Sequence, residues 1–219
     1  MRMIALDLDG TLEDSRQDMV ESIIRVRQDL NLPHRPAGDF IDHVNRGMAH
    51  LYQVGFEEIY RDNPVDDLKL AEVRRRYCED YEAHIAHHTR LYDGMADALS
   101  ELGTLATLAV VTNKPEHLSR VLLRRLGVEA SFHAIIGGDT CSMGKPSPLP
   151  LTEAARRCEA SQVIMVGDSI GDIRCARAFG CPVIWCAWGY NGSYGADMPD
   201  RIINHPNQLV ASCRELFHA

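Results

Sequence analysis

The sequence has no excess of positive charge, no Cys-x-x-Cys pair and no apolar run near the roughly 18 residues that span a membrane. Each absence excludes something. A formal net charge of -8 disfavours nucleic acid and anionic membranes as partners, because surplus Lys and Arg carry such binding. Seven cysteines, odd in number and without metal-ligand spacing, indicate neither a disulfide framework nor a zinc site and fit a reducing compartment. The chain runs from Met1 straight to Asp7 without the apolar stretch and cleavage site of a signal peptide, so a cytoplasmic protein is expected. Lysine is scarce, with three against twenty arginines. No internal repeat or low-complexity tract stands out.

What is present is an ordinary folding composition, 45% hydrophobic and 25% charged over 219 residues, which suits one domain carrying a sizeable insertion. Short apolar runs at 3–8, 107–112, 163–166 and 182–186, with a weaker one at 133–136, each end in polar or glycine-rich residues. Helix-period stretches at 94–102, 116–126, 149–158 and 172–179 lie between them. This alternation predicts an α/β, doubly wound (Rossmann-like) parallel sheet whose reactive loops gather beyond the carboxyl ends of the strands. Residues 15–88 break the pattern, being charge-rich and helix-periodic at 18–30, 44–60 and 67–88 with no strand run. They read as a helical insertion, giving a core of 1–14 with 89–219, an inserted domain of 15–88, and linkers near 13–15 and 89–93.

Four polar clusters follow apolar runs. Asp7 and Asp9 come first, placed on one face if the strand continues through them, and relieved of mutual repulsion by a cation or a shared proton. Thr112, Asn113, Lys114 and Pro115 come second, with a hydroxyl and helix-opening N–H groups suited to phosphate oxygens. Lys145 comes third, where a flexible point charge reaches what a planar guanidinium does not. Asp168 and Asp172 come fourth, adding hard oxygen donors of the kind Mg2+ prefers. Any one of these reads as a turn or a helix cap; the ordered set is far more specific.

The four clusters resemble the motifs of the haloacid dehalogenase superfamily of phosphatases, across residues 7–172. The resemblance implies that Asp7 attacks phosphorus, that Asp9 protonates the leaving alkoxide and later activates water, and that Thr112 and Lys145 neutralise phosphate charge. It also implies Mg2+ held by the Asp7 side chain, the Asp9 main-chain carbonyl and Asp168, with Asp172 in support. Asp9 then needs a proton to give, which burial near Asp7 under a closing insertion would favour.

The helical insertion, together with stretches such as Glu13-Asp14-Ser15 and Gly180-Cys181-Pro182, resembles the phosphoglycolate phosphatase group, with 15–88 as its cap. A small phosphate monoester is the implied substrate. Thr11 and Asn113 are expected to bind it, and Arg46 falls where that group carries a specificity loop, able to fork onto a substrate carboxylate. His84, His87 and His88 are read as solvated; His84 and His88 have helical metal-pair spacing without an accompanying H-E-x-x-H pattern. A sugar phosphomutase or pyrophosphatase on the same scaffold is the alternative, with Thr11 favouring a hydrolase over the mutase. A non-catalytic binding module is disfavoured because none of the four motifs has decayed.

Overall fold

The computed structural model describes residues 1–44, 47–62 and 67–218, and the chain divides into two compact units, Met1–Asp14 with Arg90–Ala219 and Ser15–Thr89. Among the described residues the strands all belong to the first unit. They are β1 (Arg2–Leu6), β2 (Glu13–Asp14), β3 (Arg90–Leu91), β4 (Thr107–Val111), β5 (Ala134–Ile136), β6 (Gln162–Gly167), β7 (Val183–Cys186) and β8 (Arg201–Ile203). β2 and β3 pair as a separate antiparallel ribbon, and the other six form one parallel sheet in the order β5-β4-β1-β6-β7-β8. β1 lies at the centre, with Ala5 facing Ala109 on one side and Met165 on the other.

Helices α1 (Arg16–Asp29), α2 (Gly38–Ile41), α3 (Met48–Gly55), α4 (Glu57–Asp62) and α5 (Asp67–His84) build the second unit. In the first, α6 (Met95–Leu105), α7 (Glu116–Arg125), α8 (Leu149–Arg157), α9 (Ile170–Phe179) and α10 (Leu209–His218) pack about the sheet. Alternate strand residues point to opposite faces. Met3, Ala5, Val111, Met165 and Trp185 join α8 and α9 in one apolar layer. Their neighbours Ile4, Leu6, Val110, Ile164 and Ile184 are equally buried on the other parity. Burial on both faces is what makes these strands read as continuous apolar runs. Each such Val, Ile or Leu contributes about 1.5–3 kcal/mol by leaving water.

In the second unit Met19, Val20, Ile23 and Val26 of α1 supply a buried stripe, and α1 packs against α5. Tyr77 stacks on Tyr81 and meets Tyr52 edge-on. Buried Arg27 donates to Glu58, to the Gly55 carbonyl and to the Pro33 carbonyl.

The structure departs from the sequence expectation in three places. β8 and α10 were not anticipated. The expected helix over 44–60 is broken, with α3 beginning after Gly47 at φ +86° and α4 beginning after Phe56. The helix over 67–88 stops at His84, and the chain passes Ala86 at φ +65° before leaving the unit. Near the expected linkers, Glu13 pairs with Leu91 and Asp14 with Arg90.

Candidate active site

β1 ends at Leu6, so Asp7 and Asp9 do not occupy one face of an extended strand as their spacing suggested. The chain instead turns at once, with Thr11 N and Leu12 N both donating to the Leu8 carbonyl at 3.2 and 2.9 Å. Gly10 makes the turn possible. Its φ is +83°, and a Cβ there would come within 2.5 Å of the Asp168 carboxylate. Asp7 stays anchored to the sheet through its N–H, which donates to the Val166 carbonyl at 2.9 Å.

Asp7, Asp168 and Asp172 converge, offering carboxylate oxygens within 4.8 Å of one another, and all three are buried. Lys145 enters between two of them. Its ammonium donates to Asp7 Oδ1 at 2.7 Å, to Asp172 Oδ1 at 2.5 Å and to the Val111 carbonyl at 2.8 Å, which uses its three N–H groups. One cation therefore binds two of the three acids and leaves Asp168 without it.

The imbalance shows in their proton affinities. Burial, then the Asp172 charge, raises the Asp7 carboxyl well above the usual range, in spite of Lys145. Burial and then Asp172 likewise push Asp168 up to about 7. Burial pulls the Lys145 ammonium down, but Asp172 and Asp7 outweigh it and hold the group above its ordinary value. Converging hard oxygen donors with surplus negative charge are what a divalent ion such as Mg2+ relieves, so the donor set fits that ion.

Each acid is held by the surrounding loops. Asp172 completes a capping box at the start of α9, with Oδ2 accepting from Ser169 N at 2.9 Å and Ser169 Oγ at 2.7 Å. Cap and cluster member are thus one residue using two oxygens. Asp168 Oδ1 accepts from Thr11 Oγ1 at 3.0 Å, and Oδ2 from Tyr190 N at 2.8 Å. Gly189 lets that second loop approach, because a Cβ on it would stand 2.1 Å from Asp168 Cβ. Trp188 Nε1 donates to the Thr11 carbonyl at 3.2 Å, which makes this indole a brace for the turn after β1. Trp185 belongs to the apolar core.

Thr112 and Asn113 lead from β4 towards α7. Thr112 is buried, and its Oγ1 accepts from Lys114 N at 3.1 Å, which leaves its own O–H to donate. Asn113 brackets the Lys145 loop, its Nδ2 donating to Lys145 O at 3.0 Å and its Oδ1 accepting from Lys145 N at 2.8 Å. Thr11 and Asn113, both expected at the substrate, thus also make these contacts to Asp168 and to the Lys145 backbone.

Asp9 does not join the carboxylate cluster. Its Oδ1 accepts from Lys114 Nζ at 2.7 Å, with the lysine side chain 1% and the Asp9 side chain 21% exposed. The sequence reading gave Lys114 no side-chain role, although its place two residues after Thr112 in a chain with three lysines was a usable signal. Glu13 was also missed. It is fully buried beside Asp9, and neither of its carboxylate oxygens meets a hydrogen-bond donor among the described residues. Burial, then the Asp9 charge, raises its carboxyl well above the usual range. Nothing in the letters around it marked a polar residue for burial.

Arg46 lies outside the described residues. His84 ends α5 and its Nδ1 lies 2.8 Å from the Asp80 carbonyl, while His88 falls beyond the helix, so the two do not form a helical pair.

Comparison with known proteins gives a consistent picture. The family model described as haloacid dehalogenase-like hydrolase matches residues 4–186. A phosphoglycolate phosphatase of Chromobacterium violaceum is 35% identical over 203 residues, covering 90% of this chain and 91% of the relative. One from Xanthomonas campestris is 34% identical over 216 residues, covering 95% and 94%. Among solved structures, that of a predicted phosphoglycolate phosphatase from Haemophilus somnus superposes with a TM-score of 0.84 at 27% identity, covering 96% of this chain and 97% of that one. No helix among the described residues is long and apolar enough to cross a membrane.

Proposed function

This chain belongs to the haloacid dehalogenase-like hydrolase family, and from that premise we propose that it is a Mg2+-dependent phosphatase acting on a small phosphate monoester of the phosphoglycolate kind, through an aspartyl-phosphate on Asp7. The observation that carries the proposal is the meeting of Asp7, Asp168 and Asp172, with Lys145 between Asp7 and Asp172. A carboxylate is a weak nucleophile and is repelled by a phosphate dianion, so it needs opposite charge fixed in place before contact. Mg2+ held by Asp7, Asp168 and Asp172 together with the Asp9 main-chain carbonyl would supply the larger part of that charge. Lys145 supplies the rest.

The remaining steps fall to the chain's own residues. The Thr112 hydroxyl and the N–H groups opening α7 receive phosphate oxygens and set phosphorus in line with Asp7. An oxygen of Asp7 bonds to phosphorus as the ester P–O bond breaks, and Asp9 passes a proton to the departing alkoxide. Asp9, now ionised, takes a proton from water as that water attacks phosphorus, and the bond to Asp7 breaks to release inorganic phosphate. The Lys114 contact keeps the Asp9 carboxylate on station between the two half-reactions.

Thr11 steadies Asp168 and Asn113 steadies Lys145, so both act on the reaction through the groups they orient. The helical unit is proposed as the cap, with Arg46 as its fork for the substrate carboxylate. Turnover of 2-phosphoglycolate, a hexose phosphate, a nucleotide and pyrophosphate, each with and without Mg2+, tests the reading. Selective, Mg2+-requiring release of phosphate from 2-phosphoglycolate is expected; preference for another ester would replace the substrate, and activity unchanged in Asp7→Asn would overturn the mechanism.

A further inference from the structure

A second group of metal-ligating side chains gathers in the helical unit. Asp18, Glu21, His87 and His88 each offer one donor atom, and the four atoms lie within 4.8 Å of one another. The first two are a turn apart on α1, and the histidines sit just beyond α5, in the segment that leaves the unit. The fold has therefore brought residues near the two ends of the insertion to one place.

The site is shaped as well as gathered. Asp18 is buried, and its carboxylate accepts from His88 N at 2.9 Å, Thr89 N at 2.9 Å and Thr89 Oγ1 at 2.6 Å. Such contacts orient a ligating carboxylate and fix the backbone that carries the imidazoles. His88 Nε2 lies 3.4 Å from Glu21 Oε1, and the His87 and His88 ring centroids are 4.5 Å apart. His87 and His88 are exposed and Glu21 is half-buried, which gives an ion a way in from solvent.

The donor chemistry differs from that of the cluster around Asp7. All-carboxylate surroundings suit Mg2+, whereas two imidazoles with two carboxylates suit a first-row transition ion. We propose that Asp18, Glu21, His87 and His88 form a structural site for a divalent ion of the Zn2+ class, clasping the first turns of α1 to the segment after α5. The ion has no part in phosphoryl transfer. A surface ion pair between His88 and Glu21 would leave His87 without a reason to stand against both.

Equilibrium dialysis of the full chain against Zn2+, in Mg2+ excess so that the cluster around Asp7 is filled, tests the assignment. Wild type should retain one more Zn2+ than His87→Ala/His88→Ala, with affinity lost by at least the roughly 10- to 100-fold that removing even an outer partner costs. Co2+ should give a visible ligand-field band that the double variant lacks and Asp168→Asn keeps. Glu21→Gln leaves the imidazoles and the Asp18 hydrogen bonds intact and should weaken binding without unfolding the protein. Equal Zn2+ retention by wild type and the double variant, or loss of the bound Zn2+ in Asp168→Asn alone, would overturn the proposal.

Discussion

In the helical unit several charged side chains pair along helix surfaces: Arg75 with Glu72 and Glu79, Arg76 with Glu72, and Arg25 with Glu21. In the α/β unit the important charges pair across long stretches of chain and out of water. Lys145 reaches Asp7 and Asp172, Lys114 reaches Asp9, and the Thr11 hydroxyl reaches Asp168. The first arrangement is near neutral for stability, because water already screens both partners. The second is costly if any partner is lost, and it leaves three acids facing one lysine. A fold keeps such an imbalance where chemistry uses it.

Five changes test that contrast. Asp7→Asn should lower kcat by roughly three orders of magnitude or more while the fold persists, as judged by phosphate release and by circular dichroism. Lys145→Met should abolish turnover and also destabilise the protein by roughly 3–5 kcal/mol, read from urea unfolding, since it strands Asp7 and Asp172 without their cation. Arg27→Met probes an exception in the helical unit, a buried arginine; it should cost about 2 kcal/mol or more and leave kcat of the folded enzyme unchanged.

Smaller and more diagnostic is the response to pH. Asp168 binds its proton more tightly in the folded state, at about 7 against an ordinary 3.8, so the stability this lends is complete below the lower value and is lost as pH rises through the higher one. Thermal midpoints of the metal-free protein should therefore fall across that window. Added Mg2+ should remove the fall, and so should Asp168→Asn. Least of all, Arg75→Ala should leave the midpoint unmoved, since it removes only exposed pairs.

The two units also differed in how far their letters could be read. β1, β4, β6 and β7 were legible because burial on both faces turns a strand into an unbroken apolar run. β8 was not, since it has three residues, two of them exposed. α10 carries Leu209, Val210, Cys213 and Phe217 on a buried stripe, a helical period that was present and passed over. The breaks after Gly47 and Phe56 were hidden because helical periodicity continues across them. In the site, the residues of each motif were legible, but partner choice was not. That Lys114 rather than a neighbouring acid holds the Asp9 carboxylate, and that Glu13 is buried beside it, depend on a turn and a two-residue ribbon that single-chain periodicity does not encode.

Titration calorimetry of Mg2+ into wild type and Asp168→Asn at neutral pH decides whether the buried acids hold an ion. One ion per chain is expected in wild type, with protons released as it binds, and that binding should be lost in the variant. Equal Mg2+ affinity in the two proteins would contradict that expectation.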